Sequence, residues 1–465
     1  MNRMDEYRQY SEMIRTRRIG FIGVGVSHRE LIRQYAALGA DVTLRDRRTR
    51  EKLGPLADEL EQLGVRLRLG EEYLQNIDEE VLFRTPGMRW FTPELTAARE
   101  RGVVVTSEME LFFDLCPCPI YAVTGSDGKT TSTTLIATLL REEGNTVHLG
   151  GNIGTPLLPI LDRVKPEDVA VVELSSFQLI SMRESPDVAL VTNVAPNHLD
   201  MHRDMQEYVD AKRNLLLHQT AFSRAVLNRD NVITREMAAD ARGDLYWFSR
   251  REPVDRGAWL DGEGFLHYTD GSTDTVVMHQ SEIRIPGMHN VENFLGVIAS
   301  VWGAVRPETI RRVAREFPGV EHRIEFVREL DGVRWYNDSI ASNPTRTIAG
   351  LNSFDQKLIL IAGGYDKKIP FQPLADPVAE RVKLLILTGP TASAIEAAVK
   401  ASPSYSPEEC VILRAADLPE AVAIARQRAE RGDIVSLSPA CASFDAYPNF
   451  EERGRHFKQL VNALK

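Results

Sequence analysis

The chain has 465 residues, of which 43% are hydrophobic and 26% charged, and carries a formal net charge of −10. That length implies roughly two to four domains, each able to bury a core, and the composition is that of an ordinary globular protein. The acidic balance argues against a general nucleic-acid binder. Four cysteines (Cys116, Cys118, Cys410 and Cys441) are too few for a disulfide framework, and the lone C-x-C of Cys116 and Cys118 has no second pair at zinc-site spacing. Unbridged thiols are therefore expected. The opening segment, MNRMDEYRQYSEMIRTRR, mixes acids and bases around no apolar stretch. No run approaches the roughly 18 apolar residues of a membrane helix. A cytoplasmic protein with no membrane partner is expected.

Taken in order, the first third alternates short apolar runs with helical patterns. Strands are predicted at 18–23, 41–44, 65–69, 81–83 and 103–105, with a helix at 29–38. Such alternation specifies an open, largely parallel sheet. Proline-flanked Cys118 punctuates the chain, and a new series follows: a strand at 120–124, a helix at 130–143, then strands at 169–174, 188–193 and 225–228. Within 245–285 the text GAWLDGEGFLHYTDGSTDTVV has aromatic and β-branched runs cut by Asp-Gly turns, which is hairpin chemistry. From Gly332 the α/β rhythm returns, with strands at 333–337, 358–362, 384–387, 411–413 and 434–436. The fold class is α/β, read as three domains at 1–118, 119–322 and 323–465, the middle one with a small antiparallel excursion.

Ile120–Thr131 reads IYAVTGSDGKTT, a strand running through Gly125, Ser126, Asp127 and Gly128 into Lys129, Thr130, Thr131 and a helix. This is a phosphate loop in its proper context. Glycines let the backbone fold around phosphate oxygens, and amides at the helix N-terminus point at the anion. Lys129 is expected on the β- and γ-phosphates, and a hydroxyl of Thr130 or Thr131 on Mg²⁺. Glu173, in VVELSSFQL, falls at the C-terminal end of a predicted strand, where open α/β sheets place ligands. A carboxylate there suits Mg²⁺, which prefers oxygen donors.

The short spacing of the loop, T-G-x-x-G-K-T-T, resembles that of the Mur ligases, which build the peptide of bacterial cell-wall precursors, and of the related folylpolyglutamate synthases. Asp127 stands where that family usually carries Asn. The Ser175–Gln178 text SSFQ resembles the branch that adds D-glutamate. The resemblance implies three domains, Rossmann-like at both ends, and an ATP-dependent ligase adding D-glutamate to UDP-N-acetylmuramoyl-L-alanine through an acyl phosphate. It further implies two Mg²⁺ ions held through Thr130, Glu173, His198 of TNVAPNHLD and a carbamylated Lys212 of EYVDAKRNLL, the catalytic set being Lys129, Glu173, His198 and Lys212. A carbamate supplies anionic oxygens where an ammonium would repel the cation. Asn152 (GGNIGTP) and Asn293 (HNVEN) are implied at ATP, as are Arg323 and Asp338 of the third domain. Ile340 replaces a lysine that the family typically has.

In the first domain, GVGVS and an acidic Asp46 following the next strand are a partial dinucleotide fingerprint, but His28 stands where the third glycine belongs. The resemblance assigns this sheet instead to the substrate's uridine diphosphate, with Val26, Ser27, Asp46, Arg48 and Gly87 as contacts. Ser342, Lys367, Ser443 and Phe450 match positions that bind D-glutamate; a dicarboxylate needs such cationic and hydroxyl partners. A monomer is expected. The alternatives are another amino-acid ligase of the superfamily and a nucleotide-binding regulatory protein that does not ligate.

Overall fold

The computed structural model describes residues 3–196, 201–367 and 369–465; His198 lies outside the described residues. Three sheets organise them. The first orders its strands β3-β2-β1-β4-β5, all parallel: β1 (Arg18–Ile22), β2 (Asp41–Asp46), β3 (Arg66–Leu69), β4 (Val81–Phe83) and β5 (Val104–Thr106). The chain winds outward from β1 in one direction and then restarts at β4 in the other. The switch point, where such sheets bind ligands, lies between β1 and β4.

The second sheet runs β14-β13-β12-β11-β10-β9-β6-β8-β7. Its strands are β6 (Ile120–Thr124), β7 (Val147–Gly151), β8 (Val169–Glu173), β9 (Val188–Val191), β10 (Arg224–Asn228), β11 (Asp244–Ser249), β12 (Gly257–Leu260), β13 (Phe265–Thr269) and β14 (Asp274–His279). Pairing is parallel through β12, and only β12-β13-β14 is antiparallel, so the excursion read from the Asp-Gly turns is a terminal meander on a parallel sheet. Every residue of β8 is buried, as expected of a parallel strand covered on both faces.

The third sheet runs β15-β16-β20-β17-β18-β19, from β15 (Glu325–Leu330), β16 (Val333–Asn337), β17 (Leu358–Gly363), β18 (Val382–Thr388), β19 (Val411–Arg414) and β20 (Ile434–Leu437). Only its edge pair β15-β16 is antiparallel. The mostly parallel α/β class expected from the sequence is the class observed.

The chain divides into two compact units, Met1–Gln280 with Glu292–Val313, and Ser281–Val291 with Ala314–Lys465. The first unit holds two sheets and a core that runs from Phe21 and Phe83 through Cys116 and Cys118 to Leu215. Glu108, buried, ties the two sheets' elements by accepting the amides of Leu157 and Leu158, both at 2.9 Å. All four cysteines are unbridged and buried, Cys116 and Cys118 in the first unit and Cys410 and Cys441 in the second. Among the described residues no helix is long and apolar enough to cross a membrane.

Candidate active site

The phosphate loop leaves the C-terminal end of β6 between β8 and β9 and enters the helix Lys129–Glu142. Gly125 and Gly128 take φ of +151° and +79°. A β-carbon on Gly125 would stand inside contact distance of Thr192 Oγ1, and one on Gly128 inside that of Asn293 Oδ1, so the loop both needs left-handed backbone and lacks room for a side chain. Side chains beyond β9 brace it. Thr192 Oγ1 donates to the Asp127 carbonyl at 2.6 Å, and Asn193 Oδ1 accepts the Asp127 amide at 3.0 Å. Ser126 Oγ donates to the Ala195 carbonyl and lies 3.0 Å from the Tyr208 hydroxyl.

Lys129 Nζ donates to the carbonyls of Gly125 and Ser126, both at 2.9 Å. Lys212, on the helix Met205–Leu217, is 1% exposed, and its Nζ donates to the same Gly125 carbonyl at 2.9 Å and to Thr124 Oγ1 at 3.3 Å. Burial, and then the neighbouring Lys129 cation, hold its pKa well below the usual lysine range. Its surroundings therefore disfavour the charged ammonium, unlike those of a solvated helical lysine.

Glu173 ends β8 directly beside Val123 of β6. It is 1% exposed; Oε1 accepts from Asn152 Nδ2 at 2.7 Å, while Oε2 is buried with no hydrogen-bond partner. A buried carboxylate oxygen left open beside a phosphate loop is a fitting donor for a hard cation. Thr130 is the second residue of the helix that the loop enters, Glu173 ends the strand beside β6, and Lys212 meets the loop at the Gly125 carbonyl. Among the described residues no group of three or more His, Cys, Asp or Glu side chains is gathered for a metal. Asn152 and Asn293 both reach this neighbourhood, the latter 3.5 Å from Ser132 Oγ.

The segment after Glu173 is a four-residue helix, Ser176–Leu179, closed by a capping box: Ser175 Oγ accepts the Gln178 amide, and the Gln178 side chain accepts the Ser175 amide. His202 holds it from outside, with Nε2 2.9 Å from Ser176 Oγ, Nδ1 3.2 Å from Glu207, and its ring stacked on Phe177 at 5.3 Å. Sequence reasoning missed His202, Tyr208, Thr192 and Asn193. The i,i+4 pair Arg203–Glu207 was the one local signal that the segment around His202 is fixed.

In the first sheet, Asp46 ends β2, while Val26 and Ser27, Arg48, and Gly87 follow the C-terminal ends of β1, β2 and β4 respectively. Asp46 is buried; Oδ2 accepts the Val24 amide, and Oδ1 accepts the backbone and Nε of Arg48. Burial pushes its pKa up, but the Arg48 guanidinium and these amides prevail and hold it low. Val26 is 78% exposed at the start of its helix, and Gly87 is exposed in the turn after β4. His28 is buried with Nδ1 2.9 Å from the Gly23 carbonyl, and packs edge-on to Phe21 and Phe83. A ring thus fills the helix–strand contact that a third glycine would leave narrow.

In the second unit Asp338 follows β16 and is fully enclosed. Ser438 Oγ donates to it at 2.7 Å and the Ile324 amide at 3.3 Å. Burial outweighs these bonds and Arg323, pushing its pKa up to about 7. Ser342 lies four residues on, Lys367 is exposed after β17, and Ser443 is buried after β20. The Phe450 carbonyl accepts from Ser339 Oγ at 2.8 Å, which fixes the start of the last helix beside the Asp338 turn. These residues therefore share the C-terminal edge of the third sheet.

Comparison with known proteins bears on this arrangement. Residues 123–301 match the Mur ligase middle domain, and residues 322–441 match the Mur ligase glutamate ligase domain. A UDP-N-acetylmuramoylalanine–D-glutamate ligase of Acetivibrio thermocellus is 51% identical over 98% of both chains. One from Clostridium botulinum is 46% identical over 98% of this chain and 99% of its own. Among solved structures, the UDP-N-acetylmuramate-alanine ligase of Thermotoga maritima aligns with a TM-score of 0.57 at 17% identity, over 97% of this chain and 100% of that one. At that identity it speaks for the fold alone. Two family models across more than half the chain, and relatives near one-half identical along its length, establish that the chain belongs to the Mur ligase family.

Proposed function

We propose that the chain is an ATP-dependent ligase joining D-glutamate to UDP-N-acetylmuramoyl-L-alanine, a step in building a peptidoglycan precursor. One observation carries the chemistry: an open, buried Glu173 oxygen and the buried amine of Lys212 stand at a phosphate loop that already holds Lys129. The substrate pair comes from relatives named for it at 46% and 51% identity.

Lys129, the loop Gly125–Gly128 that includes Ser126 and Asp127, and the amides of Thr130 and Thr131 bind the ATP phosphates, with Asn152 and Asn293 nearby and Arg323 and Asp338 contributed by the third domain. The acceptor carboxylate takes the γ-phosphoryl group and releases ADP, giving an acyl phosphate; the D-glutamate amine then attacks its carbonyl carbon, loses a proton and displaces inorganic phosphate. This divides one difficult amide formation into two easier steps. Thr130, Glu173, His198 and a carbamylated Lys212 would hold two Mg²⁺ ions, and bound there the cations neutralise phosphate charge. The downward shift at buried Lys212 favours the carbamate, because only the unprotonated amine adds CO₂. Val26, Ser27, Asp46, Arg48 and Gly87 take the uridine diphosphate; Ser342, Lys367, Ser443 and Phe450 take D-glutamate. Domains at 1–118, 119–322 and 323–465, one per sheet, divide the substrates between them in a cytoplasmic enzyme that acts as a monomer.

The test is phosphate release from ATP and Mg²⁺ with UDP-N-acetylmuramoyl-L-alanine, with and without D-glutamate. Release is expected to require both substrates and to fail with L-glutamate or meso-diaminopimelate. Release with a different amino acid alone would overturn the substrate, and silence with every amino acid would overturn the ligase. Lys212→Ala is expected to lose the activity; wild-type turnover in that variant would exclude the carbamate.

A further inference from the structure

Arg84 directly follows β4 and is wholly enclosed, at 0% exposure. Among the described residues no carboxylate lies within ion-pair distance of it. Its guanidinium instead spans two elements. Nη1 donates to the Met88 carbonyl at 2.9 Å and the Thr85 carbonyl at 3.4 Å, within the turn that carries Gly87. Nη2 donates to the Phe177 carbonyl at 2.8 Å and to Ser181 Oγ at 3.3 Å, within and just past the short helix that follows Glu173. Nε is buried without a partner.

The Glu110 carboxylate acts on this guanidinium only through space, and every direct bond the guanidinium makes among the described residues is to a neutral oxygen. A charge so held is a poor device for stability, since an apolar side chain of the same volume avoids the desolvation cost. What a guanidinium adds is a rigid fork that sets the distance and angle between two backbones. A second bridge closes the figure. Phe91, in the same loop as Met88, lies under the Arg203 guanidinium at 4.8 Å. Arg203 pairs with Glu207, Glu207 holds His202, and His202 stacks on Phe177. The loop after β4 is thus joined to the Ser175–Leu179 segment both directly, through Arg84, and by way of the segment that opens the Lys212 helix.

We propose that Arg84 is a positioning residue for the acceptor substrate: it fixes the loop expected to seat the uridine diphosphate against the turn beside Glu173, so that anchoring the nucleotide end sets where the carboxylate end meets the phosphate loop. This rests on the ligase reading above. Arg84 touches no reacting atom. Its removal therefore moves one end of a long substrate relative to the other and leaves the ATP and amino-acid sites as they were.

The experiment begins with the wild-type enzyme, whose failure to release phosphate with D-glutamate would defeat the ligase reading and not merely this part of it. With that activity in hand, Arg84→Met is expected to raise KM for UDP-N-acetylmuramoyl-L-alanine about tenfold or more and to lower kcat, a range usual for misplaced substrates. KM for ATP and for D-glutamate is expected to stay at the wild-type value. Arg84→Lys keeps the charge but loses the fork, and is expected to show the same selective rise at smaller size; it carries the test should the methionine variant not fold. Wild-type constants in either folded variant, or a fall in kcat with all three KM values unchanged, would overturn the proposal.

Discussion

Gly128 has a neighbour, Asn293 Oδ1, where a methyl group would have to stand, and a φ of +79° that a methyl group disfavours. Gly128→Ala is expected to strain the loop by about 1–3 kcal/mol and to weaken ATP binding correspondingly, by roughly tenfold or more, while leaving the far-ultraviolet circular dichroism spectrum intact. Titration with a fluorescent ATP analogue reads it. Glu108 invites a different measurement. Burial pushes its carboxyl from 4.5 up to about 7, against the pull of the Leu158 and Leu157 amides. The folded chain then holds this proton more tightly than the unfolded one. The stabilising term is fully present below about 4.5 and is lost as pH rises through about 7, with a span of about 3 kcal/mol. Glu108→Gln is expected to remove that slope: the difference in unfolding free energy, wild type minus variant, should fall between pH 4.5 and pH 7.5, and a flat difference would refute the assignment. Lys212 shows why single residues resist reading from sequence. Its burial is made by Gly125 and Thr124, 87 and 88 positions away, and nothing in EYVDAKRNLL announces them.

Short elements carry the site, and their ends are chemically marked. Asp204 caps the helix that bears Lys212, accepting the Glu207 amide at 2.8 Å. Asp204→Ala is expected to cost about 1 kcal/mol, seen as a lower urea midpoint, at unchanged m-value, for the transition of the unit that holds Lys212. The phosphate loop was legible because strand, glycines, Lys-Thr-Thr and helix are contiguous and each is required by local backbone chemistry. Strand pairs separated by long helices were legible as elements but not as neighbours: that β6 lies between β8 and β9 depends on crossover packing, not on any residue in β6. β15 escaped notice because EFVREL alternates charge along an exposed edge, and the helix Gln372–Arg381 because it contains Pro377. β7 was hidden by its own text, VHLGG, whose glycines read as a loop. The family resemblance supplied most of the site list at the first and third sheets; there the separate residues are individually ordinary, and geometry shows only that each group shares one sheet edge.

For the molecule as a whole, two compact units with separate cores should not unfold as one two-state body. Calorimetry is expected to resolve more than one transition. ATP with Mg²⁺ at 100 times its dissociation constant is expected to stabilise the transition of the unit holding Lys129 by about 2.7 kcal/mol; a single transition that ignores nucleotide would contradict this. The cysteines offer a second way to follow the same events. Each unit buries two thiols and none is bridged. A sulfhydryl-directed alkylating reagent added to the native enzyme therefore has to wait for the chain to open, and peptide mapping of which pair is tagged first dates the opening of each half. The protein carries its own clocks, one per unit, without an engineered label.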